Sequence, residues 1–142
     1  FVALARVLYD PSTMDVFSQA AAVRTLQPAT RLCLVSDAFA LAAAQKLDIL
    51  RALELAQVFA GDAEYAVLNT VLLSVTEALS FLTRGTSDEA VLHGFRAFVR
   101  DLVGDVFDKL GWEAVPGESS GTGKLRSRVL RNLGLYAHDE AI

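Results

Sequence analysis

ATRLCLVSDAFALAAAQKL, residues 29–47, is apolar almost all the way round a helix. Leu32, Val35, Phe39 and Ala42 fall at i, i+3, i+7 and i+10 and make one face, while Leu34, Ala38 and Leu41 make a second. A narrow seam of Cys33, Asp37, Ala40 and Ala44 is left over. A helix of this kind is covered on several sides, which makes it the inner helix of an all-helical module. Pro28 suits its first turn, where a missing N–H costs nothing, and Lys46 places a cation near the negative end of its dipole. The periodicity specifies architecture and carries no chemistry.

Outward from this helix the chain punctuates itself. Phe1, Ala3, Ala5, Val7 and Tyr9 alternate as in a strand, but a lone strand has no partner. It is expected to fray, to pair with another copy, or to be drawn into the helical part. Pro11 and Ser12 mark a turn and an N-cap, and Val16, Phe17, Ala20, Ala21 and Val23 supply the stripe of a first helix ending near Leu26. The inner helix spans Pro28 to Gln45. Asp48 caps a third, with Ile49, Ala52, Leu53, Ala56 and Phe59 inward and Gly61 just past its end.

Asp62 opens a fourth helix, whose stripe Tyr65, Leu68, Leu72, Val75, Leu79 and Leu82 closes at Gly85. Thr86-Ser87-Asp88-Glu89 has the form of a capping box, starting a fifth helix at Ser87 that carries Val91, Phe95, Phe98, Leu102, Val106 and Leu110 to Gly111. WEAVPGESSGTG, residues 112–123, reads as a long mobile loop. A sixth helix has Leu125, Val129, Leu133 and Tyr136 on one face and Lys124, Arg128 and Arg131 on the other, and a further helix starts after His138. Short loops between amphipathic helices imply antiparallel hairpins, and hairpins apolar on two sides stack. The fold class is therefore all-α: stacked antiparallel helical hairpins, an α-solenoid fragment with a short orphan strand at its N-terminus.

The chain has 142 residues, enough for one domain burying roughly 68–70% of its unfolded surface. Its composition is 53% hydrophobic and its mean hydropathy +0.37. Even so, no run approaches the ~18 uninterrupted apolar residues that span a bilayer; Ser36 and Asp37 interrupt the best candidate, so no membrane partner is expected. The sequence starts at Phe1, without a basic leader, and reads as a piece of a longer protein. A net charge of −4 argues against nucleic acid. Cys33, the single cysteine, excludes a disulfide framework and is expected to be a small buried hydrophobe.

The sequence carries few chemical signatures. His93 and His138 are the only histidines and stand in different helices, so neither belongs to a pair at i, i+4 that would seat zinc. Glu118 to Lys124 fails as a phosphate loop, since Glu118 replaces the first glycine and Leu125 the magnesium-binding hydroxyl. Asp88-Glu89 and Asp139-Glu140 lie at helix starts, where acids cap. Lys124, Arg128 and Arg131 share a solvated face, whereas Arg126 points elsewhere.

A resemblance adds what periodicity does not. Arg31-Leu32 with Ser36-Asp37-Ala38-Phe39-Ala40-Leu41-Ala42 resembles the signature of the C-terminal helical domain of the gluzincin aminopeptidases, the zinc-dependent family that includes puromycin-sensitive aminopeptidase. Arg6-Val7-Leu8-Tyr9-Asp10, Gly61-Asp62-Ala63-Glu64-Tyr65, Leu110-Gly111-Trp112-Glu113, Leu125-Arg126 and His138-Asp139-Glu140-Ala141 continue it, in order, along essentially the whole chain. The family's His-Glu-x-x-His pair and Gly-x-Met-Glu-Asn segment are not in this sequence.

The resemblance implies a HEAT-like helical repeat domain at 11–142, preceded at 1–10 by the remnant strand of a β-sandwich, and truncated at its C-terminal end. It implies a non-catalytic fragment whose parent, a zinc metallo-aminopeptidase, removes N-terminal residues from peptides, the fragment forming part of the substrate-cavity wall. Partners would be the parent's remaining domains, its peptide substrates and, through exposed solenoid ends, a second copy. Zinc would belong to the parent alone. Arg126, in the family-like Leu-Arg pair, is the candidate to meet a substrate carboxylate, and likeness to the puromycin-sensitive group favours the cytoplasm. The alternatives are a free-standing helical repeat module for protein partners and a helical small-ligand binder.

Overall fold

A computed structural model describes residues 5–17, 19, 25–62 and 64–137. Among the described residues the order is α1 (Pro11–Phe17), α2 (Pro28–Ala43), α3 (Ile49–Val58), α4 (Tyr65–Leu82), α5 (Glu89–Leu110) and α6 (Ser120–Asn132), the last running into a π-helical turn at Leu133–Ala137. The helices alternate between two layers. α2 packs on α4 and α4 on α6, while α3 pairs with α2 and α5 with α6. This is the all-α arrangement of stacked hairpins that the apolar stripes require, because each hairpin covers its second face with the next.

The core runs through these layers. Leu34, Val35 and Ala38 of α2 meet Ala52, Leu55, Ala56 and Phe59, then Val67, Leu68, Val71, Leu72 and Val75 of α4. Val99, Leu102, Val103 and Val106 of α5 and Leu125, Val129 and Leu133 continue it. Leu55, Val67, Val71, Val99 and Val103 belong to this core without having been part of the expected stripes, whereas Leu82 and Val91 are exposed. By length and hydropathy α4 would suit a bilayer span, yet six of its residues, Val67 to Thr76, face the protein interior.

Cap chemistry fixes most boundaries. The Asp48 carboxylate accepts from Leu50 N–H at 3.0 Å, and that of Asp88 from Ala90 N–H at 2.9 Å. The fifth helix thus starts one residue after Asp88 rather than at Ser87; Thr86 instead accepts the Asp88 N–H at 3.2 Å. Asp10, not Ser12, caps α1: its carboxylate accepts from Ser12 Oγ–H at 2.5 Å, Thr13 Oγ1–H at 2.7 Å and Thr13 N–H at 3.1 Å. Those bonds, that from Ser12 first, hold its pKa well below the ordinary carboxylate range. α2 ends in a Schellman motif, with Lys46 N–H on Leu41 O at 2.9 Å and Gln45 N–H on Ala42 O at 2.9 Å, and Gln45 takes the left-handed position at φ 57°.

Several expectations are corrected. α1 ends at Phe17, and the parts of its stripe at Ala20, Ala21 and Val23 lie outside the described residues. Residues 5–10 form no strand. They are drawn against the helical part beside Met14, Leu34, Ala38 and Leu41, with Tyr9 packed on the core and Val7 and Leu8 left about half exposed. Phe1 to Leu4, and the helix expected after His138, are outside the described residues. Cys33 is exposed, because α3 and α4 cover the Leu34–Ala38–Leu41 side of α2 and leave the seam's first turn to solvent. The fourth helix opens at Tyr65, not Asp62, and the 112–123 loop ends early because Ser119 caps α6, accepting from Thr122 N–H at 3.1 Å.

Candidate functional site

Arg6, Arg31 and Arg126 each join segments that the chain separates. Arg6 Nη1 donates to Ser36 Oγ at 2.7 Å and to Asp37 Oδ1 at 2.8 Å, while Val7 N–H donates to Asp37 Oδ2 at 3.1 Å. The seam residue Asp37 is therefore the anchor of the N-terminal segment. Arg31, in the first turn of α2, donates through Nη1 to Asp62 Oδ2, whose other oxygen accepts the Glu64 N–H at 2.9 Å. That buried pair ties α2 to the entry of α4. Gly61 N–H reaches Leu102 O at 3.3 Å, which ties the same turn to α5, and its φ of 71° is a conformation that suits glycine.

The third arginine is Arg126, 7% exposed on α6. Its Nη1 and Nη2 donate to Glu118 at 2.6 and 2.7 Å, a two-point pair. Its Nε and Nη2 also donate to Leu110 O at 3.3 and 3.2 Å, which serves the open C-terminal end of α5. The hydrogen bonds from Arg126, and then that from Val115 N–H, hold the pKa of the Glu118 carboxyl below its ordinary value; Glu118 in turn raises the pKa of Arg126. Both sides of the guanidinium are committed within the chain. Lys124 and Arg131 are exposed, as their shared face requires, and Arg128 is half-buried.

Beside this pair lies an open cleft of about 380 Å³. Ser119, Gly121 and Thr122 of the α6 start form one wall, Glu64 and Tyr65 of the α4 start the other, and Lys109 borders it. Its lining mixes one acid, one base and hydroxyls with Val106, Leu110 and Leu125. Among the described residues no three His, Cys, Asp or Glu side chains converge, and His93 stands exposed on α5. The described residues therefore offer no ligand set that fits a zinc ion.

Sequence reasoning singled out Arg126 and missed its partner. Glu118 had drawn notice only as a residue that spoils a phosphate loop; the available signal was its place directly before a helix-capping serine. Arg31, Asp37 and Asp62 lay within quoted motifs, but nothing in their spacing pairs Arg6 with Asp37 or Arg31 with Asp62.

Residues 2–142 match the ERAP1-like C-terminal domain family. The chain is similar to Aminopeptidase M1 of Arabidopsis thaliana, 26% identical over 137 residues, which covers 96% of this chain and 15% of that protein. Aminopeptidase 2 of Candida albicans is 26% identical over 140 residues, again 96% of this chain and 15% of that protein. Glutamyl aminopeptidase of Bos taurus is 31% identical over 112 residues, covering 78% of this chain and 11% of that protein. The chain thus spans about 15% of the length of the first relatives it matches.

Proposed function

Because this chain belongs to the ERAP1-like C-terminal domain family, we propose that it is a non-catalytic helical part of a zinc-dependent aminopeptidase. The parent removes N-terminal residues from peptides, and this part walls the substrate cavity and limits which peptides enter. The observation that carries the reading is the family match along nearly the whole chain. A stack braced by buried arginine pairs suits a wall, since it fixes the relative position of successive layers. Zinc belongs to the parent's other domains in this reading, and the cytoplasm is the compartment implied by the puromycin-sensitive likeness. Arg126 takes the role of fixing the wall's 112–119 loop, its guanidinium being occupied by Glu118 and Leu110. The exposed side chains Phe81, Leu50 and Leu73 are offered to the parent's other domains.

The test begins with the source gene, read in frame upstream of Phe1 for a His-Glu-x-x-His helix and a downstream glutamate. With that motif present, Lys109→Glu in the whole enzyme is expected to change the ratio of kcat/KM for long against short peptides while zinc content stays constant. An unchanged ratio sinks the cavity role. A frame without the motif removes the enzymatic reading and leaves a helical module that binds protein partners.

A further inference from the structure

The open cleft between the first turns of α4 and α6 is lined by two opposite charges that the chain itself leaves unused. Arg6, Arg31 and Arg126 are each committed to a carboxylate of the same chain. Glu64 and Lys109, by contrast, are exposed, and among the described residues neither side chain has a hydrogen-bond or ion-pair partner. Glu64 stands at the N-cap of α4 yet accepts no N–H there. Lys109 lies in the last turn of α5, where the Leu110 carbonyl is already served by Arg126.

The two charges border one volume. Glu64 belongs to the α4 wall, Lys109 comes from α5, and the core residues Val106 and Leu125, each 5% exposed, make an apolar floor between them. At about 380 Å³ the cleft falls within the range of small-ligand sites, roughly 300–1,000 Å³. An acid, a base and an apolar floor around such a volume complement a molecule that carries an ammonium, a carboxylate and a hydrocarbon side chain. A ligand of one charge sign leaves Glu64 or Lys109 facing a like charge or none. A purely apolar ligand desolvates both without compensation.

We propose that this cleft binds the zwitterion of an apolar α-amino acid, free or as a dipeptide, with its ammonium on Glu64, its carboxylate on Lys109 and its side chain over Val106 and Leu125. Both charges stand in water, so each contributes modestly and the affinity is millimolar. The site stands independently of the aminopeptidase reading, under which a released N-terminal residue belongs to this ligand class.

The experiment titrates the whole 15N-labelled chain with L-leucine and with Leu-Leu and follows amide chemical shifts. Saturable shifts centred on Tyr65, Lys109 and Thr122 are expected from at least one of the two, and the tighter one gives the source of the zwitterion. Leucinamide, which lacks the carboxylate, and N-acetyl-leucine, which lacks the ammonium, are expected to bind at least about ten-fold more weakly. Lys109→Gln is expected to erase the preference for leucine over leucinamide, and Glu64→Gln that for leucine over N-acetyl-leucine. Both positions are exposed, so both variants are expected to keep the native far-UV circular dichroism. The proposal is overturned if neither zwitterion gives saturable shifts in the cleft. It is equally overturned if a blocked analogue binds as well as the zwitterion, which makes the cleft a site for one charge sign, or if both variants keep the native preferences.

Discussion

Replacing Arg31 with methionine removes one half of a pair that is buried at both ends, the side chains being 12% exposed for Arg31 and 5% for Asp62. Asp62 keeps its bond from Glu64 N–H but loses its counter-charge in a place water scarcely reaches. Breaking a buried pair this way costs about 3–5 kcal/mol. Against that, Arg31 Nε is buried without a hydrogen-bond partner, and removing this orphan donor returns about 1 kcal/mol. The net loss expected for Arg31→Met is about 3 kcal/mol. Asp62→Asn retains the acceptor for Glu64 and leaves an arginine that can still reach water at its edge, for a loss of about 1.5 kcal/mol. The double variant holds no buried charge and is expected to lose about 2 kcal/mol, well below the sum. Urea denaturation at neutral pH, followed by circular dichroism, reads these values. With a slope of about 1.5 kcal/mol/M, Arg31→Met moves the midpoint down by about 2 M. A shift below about 0.5 M, or a double variant that is additive within about 0.5 kcal/mol, refutes the idea that this pair joins α2 to α4.

Gln45→Gly is expected to stabilise the protein by about 0.5 kcal/mol, since Gln45 occupies the left-handed position of the Schellman motif and glycine relieves more strain there than its extra unfolded freedom costs; thermal melting checks it. Cys33 is exposed and is expected to react with Ellman's reagent in the native protein, one thiol per chain; a thiol that reacts only in denaturant contradicts its placement. The Glu118 carboxyl is held below its ordinary value of 4.5, so its contribution is present above that value and is lost as pH falls through the lower folded one. The native chain is therefore expected to lose stability on acidification more steeply than Glu118→Gln, in a titration of urea midpoints. Part of the slope remains in the variant, because Asp10 is depressed in the same direction by Ser12 and Thr13.

The sequence by itself determined the all-α class, the order of the helices and part of the face each buries, because 3.6-residue periodicity and capping chemistry are local. Leu68, Leu72 and Val75, or Leu102 and Val106, announce their side of the helix without reference to any neighbour. The family likeness was equally legible, being carried by the order of residues alone. What the tertiary structure decided was how far each apolar face of 29–47 is covered: it buried Leu34, Ala38 and Leu41 together with Val35 of the other face, left Leu32, Phe39 and Ala42 partly buried against the core, and left Cys33 outside. It also decided the partners of charge: Arg6 with Asp37, Arg31 with Asp62 and Arg126 with Glu118. A charged side chain declares its sign in the sequence, but its partner is set by which segments are brought within about 3 Å of one another, and only the packing of the layers does that.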